Sequence, residues 1–100
     1  WDSVLLDTVD RRAIYLAEGL GHALACLEDG TAVYLCSEVF APSREHGLTP
    51  VDDALALRFP DAFSPILSEK DTAAPTLAEA REQGLLPAYE DCLAYRRSLA

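Results

Sequence analysis

The stretch SPILSEKDTAAPTLAEA, residues 64–80, decides the predicted fold because the pattern of the chain changes within it. A Lys-Asp pair stands there between an apolar, β-like run and the start of a predicted helix. Asp71 and Thr72 are residue types that cap helices, since their side chains satisfy free N–H groups of a first turn. Lys70 and Asp71 are also the types that hold an anionic ligand and orient a base. The segment therefore has both a structural and a chemical interpretation.

Short apolar runs separated by turn residues occupy most of the chain before this stretch. The runs are SVLL at 3–6, AIYL at 13–16, HALACL at 22–27, TAVYLC at 31–36 and ALALRF at 54–59. Segments such as AEGLG and EDG between them have turn chemistry. Many short strands with Gly and Pro punctuation predict a sandwich or barrel. We therefore expect an all-β arrangement of strands and loops over residues 1–66, in a single domain.

The turn LEDGT, residues 27–31, leaves two hairpin registers open. A two-residue Asp-Gly turn would place His22 and Tyr34 on opposite faces of the hairpin. A three-residue turn ending at Gly30 would place them on the same face. The longer turn is required if His22 and Tyr34 share a site.

The last third of the chain, residues 67–100, has a helical pattern. PTLAEAREQG, residues 75–84, has Pro75 near its first turn and Gly84 as a C-terminal stop. Leu77 and Ala80 lie three residues apart and are expected to face the body of the protein. AYEDCLAYRRSL, residues 88–99, predicts a second short helix whose final basic residues suit the negative end of the helix dipole.

An excess of acidic residues limits the partners that the chain can bind. Seventeen Asp and Glu residues against eight Lys and Arg residues give a net charge of −9. This charge repels nucleic acids and anionic membranes, so we predict neither as a partner. No apolar run approaches the ~20 residues that cross a bilayer, and the first residues do not resemble a signal peptide.

The cysteines and the N-terminus indicate the compartment and the extent of the chain. Cys26, Cys36 and Cys92 are odd in number and form no C-x-x-C pair, which predicts a cytoplasmic protein without a disulfide framework. The sequence has no initiating Met and begins in a predicted strand. We therefore expect the domain to be incomplete and the chain to be part of a longer protein.

A small set of polar residues could carry chemistry. The two histidines, His22 and His46, lack the spacing of metal ligands, so we predict no metal. A His or Tyr within an apolar strand is usually a core residue, Asp71 is explained by capping, and a Glu in a polar loop is usually solvated. The polar candidates are His22, Tyr34, Glu45, Lys70 and Asp71, and from spacing alone the structural explanation of each is stronger than the catalytic one.

Two long segments of the chain carry a family resemblance, namely AEGLGHALACLEDGTAVYLCSEVFAPSREHGL, residues 17–48, and DDALALRFPDAFSPILSEKDTAAPTLAEA, residues 52–80. They resemble the dTDP-4-dehydrorhamnose 3,5-epimerase family of deoxysugar-nucleotide isomerases. The tail GLLPAYEDCLAYRRSL is similar to that of members serving antibiotic-type deoxysugar pathways. The resemblance implies the C-terminal part of a cupin-like jelly roll followed by two short α-helices. It also implies a homodimer and an isomerase that needs no cofactor.

The resemblance implies roles for the candidate residues. Tyr34 matches the general acid that returns a proton to the sugar, and Asp71 matches the carboxylate that partners the catalytic histidine. His22, Glu45 and Lys70 match positions that contact the substrate, a dTDP-4-keto-6-deoxyhexose epimerised at C3, C5 or both. We therefore expect Tyr34 and Asp71 to converge on one pocket.

The chain departs from the family pattern in several places. The family's base histidine lies in an R-G-x-H segment that this sequence does not contain, so we expect the isolated chain to be inactive. We also expect it to be poorly folded, because half of the barrel and its apolar partners would be missing. Leu35, Val39 and Phe40 occupy positions where family members commonly carry Lys and paired tyrosines, and PVDDA, residues 50–54, replaces W-x-D-P. The alternative function is a non-catalytic jelly-roll module that binds nucleotide-sugar or only dimerises.

Overall fold

Helices are the only regular secondary structure in this computed structural model, which describes residues 1–100. The α-helices are α1 (Glu69–Thr72), α2 (Leu77–Glu82) and α3 (Tyr89–Ser98), and short 3₁₀ helices span Pro42–Arg44 and Asp53–Leu55. None of these helices has the length and apolar character that a bilayer crossing requires.

The all-β prediction is wrong, because the structure contains no β-strand, sheet or barrel. The jelly roll implied by the resemblance is absent for the same reason. A strand forms only when its N–H and C=O groups pair with a neighbouring strand, and an isolated hairpin is marginal in water. The apolar runs have the composition of strands, but none of them has a partner strand in this chain.

The predicted hairpin around LEDGT is also wrong in both registers. Residues 27–29 form a bend, and no backbone–backbone hydrogen bond involves residues 21–40. Every residue from 20 to 40 is exposed. Without a ladder of hydrogen bonds, neither turn length fixes which side chains share a face.

The chain divides into two compact units, of which the first combines residues Trp1–His22 with Pro87–Ala100. Helix α3 lies in this unit, with Glu90 and Asp91 in its first turn and Arg96 and Arg97 in its last, as the helix dipole favours. Gly19 has a left-handed φ of +85°, and a Cβ at this position would lie 2.8 Å from Cys92 Cβ. The close approach of the loop to α3 therefore requires glycine there.

The second unit, Ala23–Leu86, contains α1 and α2, which begin and end with specific capping interactions. Thr76 caps α2 in a capping box. Its hydroxyl accepts a hydrogen bond from the Glu79 N–H, and the Glu79 carboxylate accepts one from the Thr76 N–H. At the other end, Gly84 has φ of +68°, and Leu85 N–H donates to the Ala80 carbonyl oxygen. This is the Schellman arrangement, and it confirms Gly84 as the stop that the sequence predicts.

Burial of apolar surface is slight throughout the chain. The accessible surface is 9147 Å², whereas a compact folded protein of 10.9 kDa would expose about 5,600 Å². Ala80, at 1% exposure, is the only buried residue, which confirms that this position of α2 faces inward. Around the extended segment that follows the second 3₁₀ helix, apolar side chains are half-buried in alternation, namely Leu55, Leu57, Phe59, Phe63, Pro65 and Leu67.

Replacing the cap residue Thr76 with Ala is expected to loosen the first turn of α2. The change removes the hydroxyl that accepts the Glu79 N–H bond, and such a loss costs about 1 kcal/mol. Amide hydrogen exchange at Glu79, followed by NMR, should accelerate roughly five-fold. Glu82→Ala, at the opposite end of α2, serves as the control and should leave this rate unchanged. Equal rates in Thr76→Ala and the wild type would contradict the capping role.

Acid is expected to release the same turn. Hydrogen bonds from the backbone and then the side chain of Thr76 lower the pKa of Glu79. The ionised carboxylate therefore makes its full contribution to the stability of α2 at pH values above the usual pKa of glutamate. This contribution is lost as the pH falls through the lowered pKa of the folded state. The protection factor of the Thr76 amide should fall in that window. Glu79→Gln keeps an acceptor oxygen but does not titrate, so a fall of the same size in this variant would refute the assignment.

Candidate functional site

A surface cavity in the second unit brings together several of the residues that the sequence singles out. Its volume is about 200 Å³, and part of its lining comes from the loop after the first 3₁₀ helix and part from the region of α1 and α2. Polar and apolar groups share the surface, as is usual for small-molecule sites. The lining residues are Glu45, His46, Gly47, Lys70, Asp71, Ala74, Pro75 and Leu85.

Helix α1 fixes the position of Lys70 and Asp71. Ser68 is the N-cap residue. Its hydroxyl accepts a hydrogen bond from the Asp71 N–H at 3.1 Å and donates one to Asp71 Oδ2 at 2.8 Å. The Thr72 hydroxyl donates to the Ser68 carbonyl oxygen at 2.9 Å. The N-cap of α1 is therefore Ser68. The prediction that Asp71 and Thr72 cap a helix is wrong, because α1 begins before both residues. Asp71 instead lies within the first turn, and its Oδ1 oxygen has no hydrogen-bond partner.

Glu45 reaches the cavity from the loop that closes the first 3₁₀ helix. Its Oε1 atom accepts a hydrogen bond from the Ala41 N–H at 2.9 Å. This bond closes the turn Pro42–Arg44, which lies between the two residues. Part of this carboxylate is thus used to order its own loop. His46 and Gly47 follow directly and complete this wall of the cavity.

Lys70 is the one lysine or arginine that lines the cavity, and its ammonium group makes no salt bridge. The salt bridge in the structure joins Arg12 and Asp10 at 3.6 Å, and Lys70 makes no ion pair or hydrogen bond. The Glu45 and Asp71 carboxylates each accept a bond from a neighbouring group, as described above. The carboxylates keep their negative charges, so the ammonium group of Lys70 is the part of this lining whose free donors can contact an anionic ligand.

His22 and Tyr34 do not line this cavity. Tyr34 is 82% exposed and makes no hydrogen bond, and its phenol does not converge with Asp71 on one pocket in this structure. His22 is exposed and belongs to the other compact unit. The roles that the resemblance implies for these two residues stay predictions.

Five lining residues are absent from the set that the sequence indicates, namely His46, Gly47, Ala74, Pro75 and Leu85. His46 follows Glu45 directly, so its place beside that residue in the loop was the available signal. Leu85 follows Gly84, and an apolar residue immediately after a helix-stop glycine is typical of the Schellman motif. No group of three or more His, Cys, Asp or Glu side chains is arranged to hold a metal ion.

Sequence comparison identifies the family. A family model described as dTDP-4-dehydrorhamnose 3,5-epimerase matches residues 1–79. The chain belongs to this epimerase family. The match includes α1 and most of the cavity lining, whereas α3 lies beyond it.

Individual relatives of this epimerase-family chain match it over nearly its whole length. It is 49% identical over 100 residues to the dTDP-4-dehydrorhamnose 3,5-epimerase of Streptomyces griseus, covering 99% of this chain and 50% of the relative. It is 47% identical over 91 residues to the dTDP-4-dehydro-6-deoxyglucose 3-epimerase of Streptomyces bikiniensis, covering 90% and 46%. The chain thus spans about half the length of the curated relatives it matches.

Lys70 is expected to be shielded by a small phosphate ligand. It is the only lysine of the chain, so acetylation of its ε-amino group can be followed by mass spectrometry of one peptide. Inorganic pyrophosphate at its dissociation constant should slow the reaction by about half, because only free protein reacts. Sodium chloride of equal ionic strength is the control for charge screening. Equal rates in pyrophosphate and chloride would exclude an anion contact at Lys70.

Proposed function

We propose that this chain is part of an isomerase that epimerises C3, C5 or both of a dTDP-4-keto-6-deoxyhexose. The match of residues 1–79 to the epimerase family is the observation that carries the proposal. The names of the relatives support a dTDP-linked sugar as the substrate class. The unpaired Lys70 in the cavity supports recognition of a phosphorylated ligand by a chain of net charge −9.

The proposed reaction needs an acid and a base rather than a change of oxidation state. The C4 ketone acidifies the C–H bonds at C3 and C5. A base removes one of these protons, and the electron pair of the C–H bond moves to form an enolate with its charge on the C4 oxygen. An acid then returns a proton to the opposite face of the same carbon. A nearby donor or cation stabilises the developing enolate charge.

Each candidate residue has a place in this scheme. Tyr34 supplies the proton to the opposite face, and Asp71 holds the imidazole of the base and supports its charged form. The unpartnered Oδ1 of Asp71 supports this role, because it can accept an imidazole N–H while Ser68 holds Oδ2. Glu45, Lys70 and His22 contact the substrate.

The base is proposed to be a histidine outside these 100 residues. Neither His22 nor His46 lies in an R-G-x-H segment, the context in which this family carries the base. The 100 residues alone are therefore expected to lack activity. We also propose that the protein acts as a cytoplasmic homodimer and uses neither a metal nor a redox cofactor, since the proton transfers require none.

A non-catalytic nucleotide-sugar-binding protein is the second candidate. The exposed position of Tyr34, away from the cavity that contains Asp71, favours it. Such a protein would bind a dTDP-sugar without exchanging its ring protons with solvent. The two candidates therefore differ in one measurable property.

Deuterium exchange in D₂O with the full-length protein tests the epimerase. NMR should detect solvent deuterium at C3, C5 or both of the 4-keto sugar. Tyr34→Phe should lower the inversion rate about 10²–10⁴-fold, the usual contribution of a general acid, while retaining some exchange because the base acts first. Tyr15→Phe, which alters another exposed tyrosine, is the matched control.

The outcomes separate the two candidates. Absence of exchange in the wild type, with binding retained, would leave the binding protein as the function. Exchange together with unchanged inversion in Tyr34→Phe would remove Tyr34 from the mechanism but keep the epimerase.

A further inference from the structure

Asp52 uses both carboxylate oxygens to hold backbone amides of different segments. Oδ1 accepts the Ala54 N–H bond at 3.0 Å and so caps the 3₁₀ helix Asp53–Leu55. Oδ2 accepts a hydrogen bond from the N–H of Leu77, the first residue of α2, at 2.7 Å. The second bond is partly buried and joins residues 25 positions apart. Asp52 therefore connects the loop after the first 3₁₀ helix to the start of α2.

A backbone hydrogen bond lies beside this connection. Thr49 N–H donates to the Pro75 carbonyl oxygen at 3.0 Å. Pro75 lines the cavity described above, and Thr49 lies two residues after Gly47, which lines the opposite wall. The two bonds together hold one wall, residues 45–47, against the other, which includes Lys70 and Asp71.

The charge of Asp52 strengthens its bond to α2. A carboxylate at a helix N-terminus accepts a charge-assisted hydrogen bond and interacts favourably with the helix dipole. Asp52 does not line the cavity of Lys70; it lines a neighbouring cavity of about 290 Å³ that also contains Phe59 and Pro65. Asp52 is therefore not a contact of a ligand beside Lys70, and its hydrogen bonds affect such a ligand only through the cavity walls.

We propose that Asp52 is a positioning residue, which fixes the Glu45–Gly47 wall against Lys70 and so preorganises the cavity for a thymidine diphosphate group. The nature of the ligand rests on the proposed function, whereas the connection made by Asp52 does not. Preorganisation lowers the ordering cost of binding, so releasing the wall weakens affinity without removing a ligand contact. We expect Asp52→Ala to raise the dissociation constant on the order of ten-fold, or ~1.4 kcal/mol.

Calorimetric titration of the full-length protein with dTDP provides the test. Asp53→Ala is the matched control, because it removes the same charge from the adjacent residue, whose side chain makes no hydrogen bond. Asp52→Asn keeps one acceptor oxygen and should give an intermediate affinity. In the exchange assay, Asp52→Ala should raise KM with little change in kcat. Thermal melts of all variants report whether the fold is retained, and Asp52→Asn carries the test if Asp52→Ala does not fold.

A double-mutant cycle distinguishes positioning from general stability. In a Lys70→Ala background, Asp52→Ala should lose most of its effect on dTDP affinity, because the contact that it positions is already absent. Additive losses would overturn the proposal, as would unchanged affinity in a folded Asp52→Ala protein. A wild-type protein that does not bind dTDP would overturn both this role and the proposed function. Coupling between Asp52 and Lys70 without deuterium exchange into the sugar would exclude the epimerase but keep the role of Asp52. Deuterium exchange without this coupling would keep the epimerase but exclude the role of Asp52.

Discussion

The hydrogen bond from Leu77 N–H to the Asp52 carboxylate is the interaction on which the second unit depends. It connects segments 25 residues apart in a chain whose only buried side chain is Ala80. Hydrophobic burial stabilises a protein roughly in proportion to the buried area. The small apolar area buried here therefore cannot fix the arrangement of the loops. The bonds of Ser68 and Thr76 close turns of three residues and determine local structure only. Long-range order therefore rests on Asp52 and on the backbone bond between Thr49 and Pro75.

Charge is distributed in the cavity in a way that the net charge of −9 does not reveal. Glu45 and Asp71 each accept a hydrogen bond from their own segment, which ties part of each carboxylate to the backbone framework. Lys70 makes no such bond and is left to interact with a ligand. An acidic chain can thus place one cationic group with free hydrogen-bond donors in a cavity, where it can contact an anion.

Local signals made α2 and α3 predictable, whereas strands depend on partners that a single sequence does not specify. Pro75, Gly84 and the three-residue spacing of Leu77 and Ala80 predicted α2, and its N-cap is within one residue of the predicted Pro75 start. Lys70 and Asp71 are adjacent in sequence, so their shared place was readily inferred. Their proximity to Glu45 requires the Thr49–Pro75 contact, which no periodicity indicates. Tyr34 lies in a run with strand composition but without strand pairing, and its predicted place beside Asp71 depended on that pairing.

The exposed segment around Tyr34 has a consequence for how this chain behaves at high concentration. TAVYLC, residues 31–36, has no charge and no proline, and its N–H and C=O groups make no backbone–backbone hydrogen bonds. Segments of this composition add readily to the edge of another chain and can grow into cross-β aggregates. Mutual repulsion between acidic molecules opposes such growth, so the chain should precipitate most readily near its isoelectric point of about 4.4.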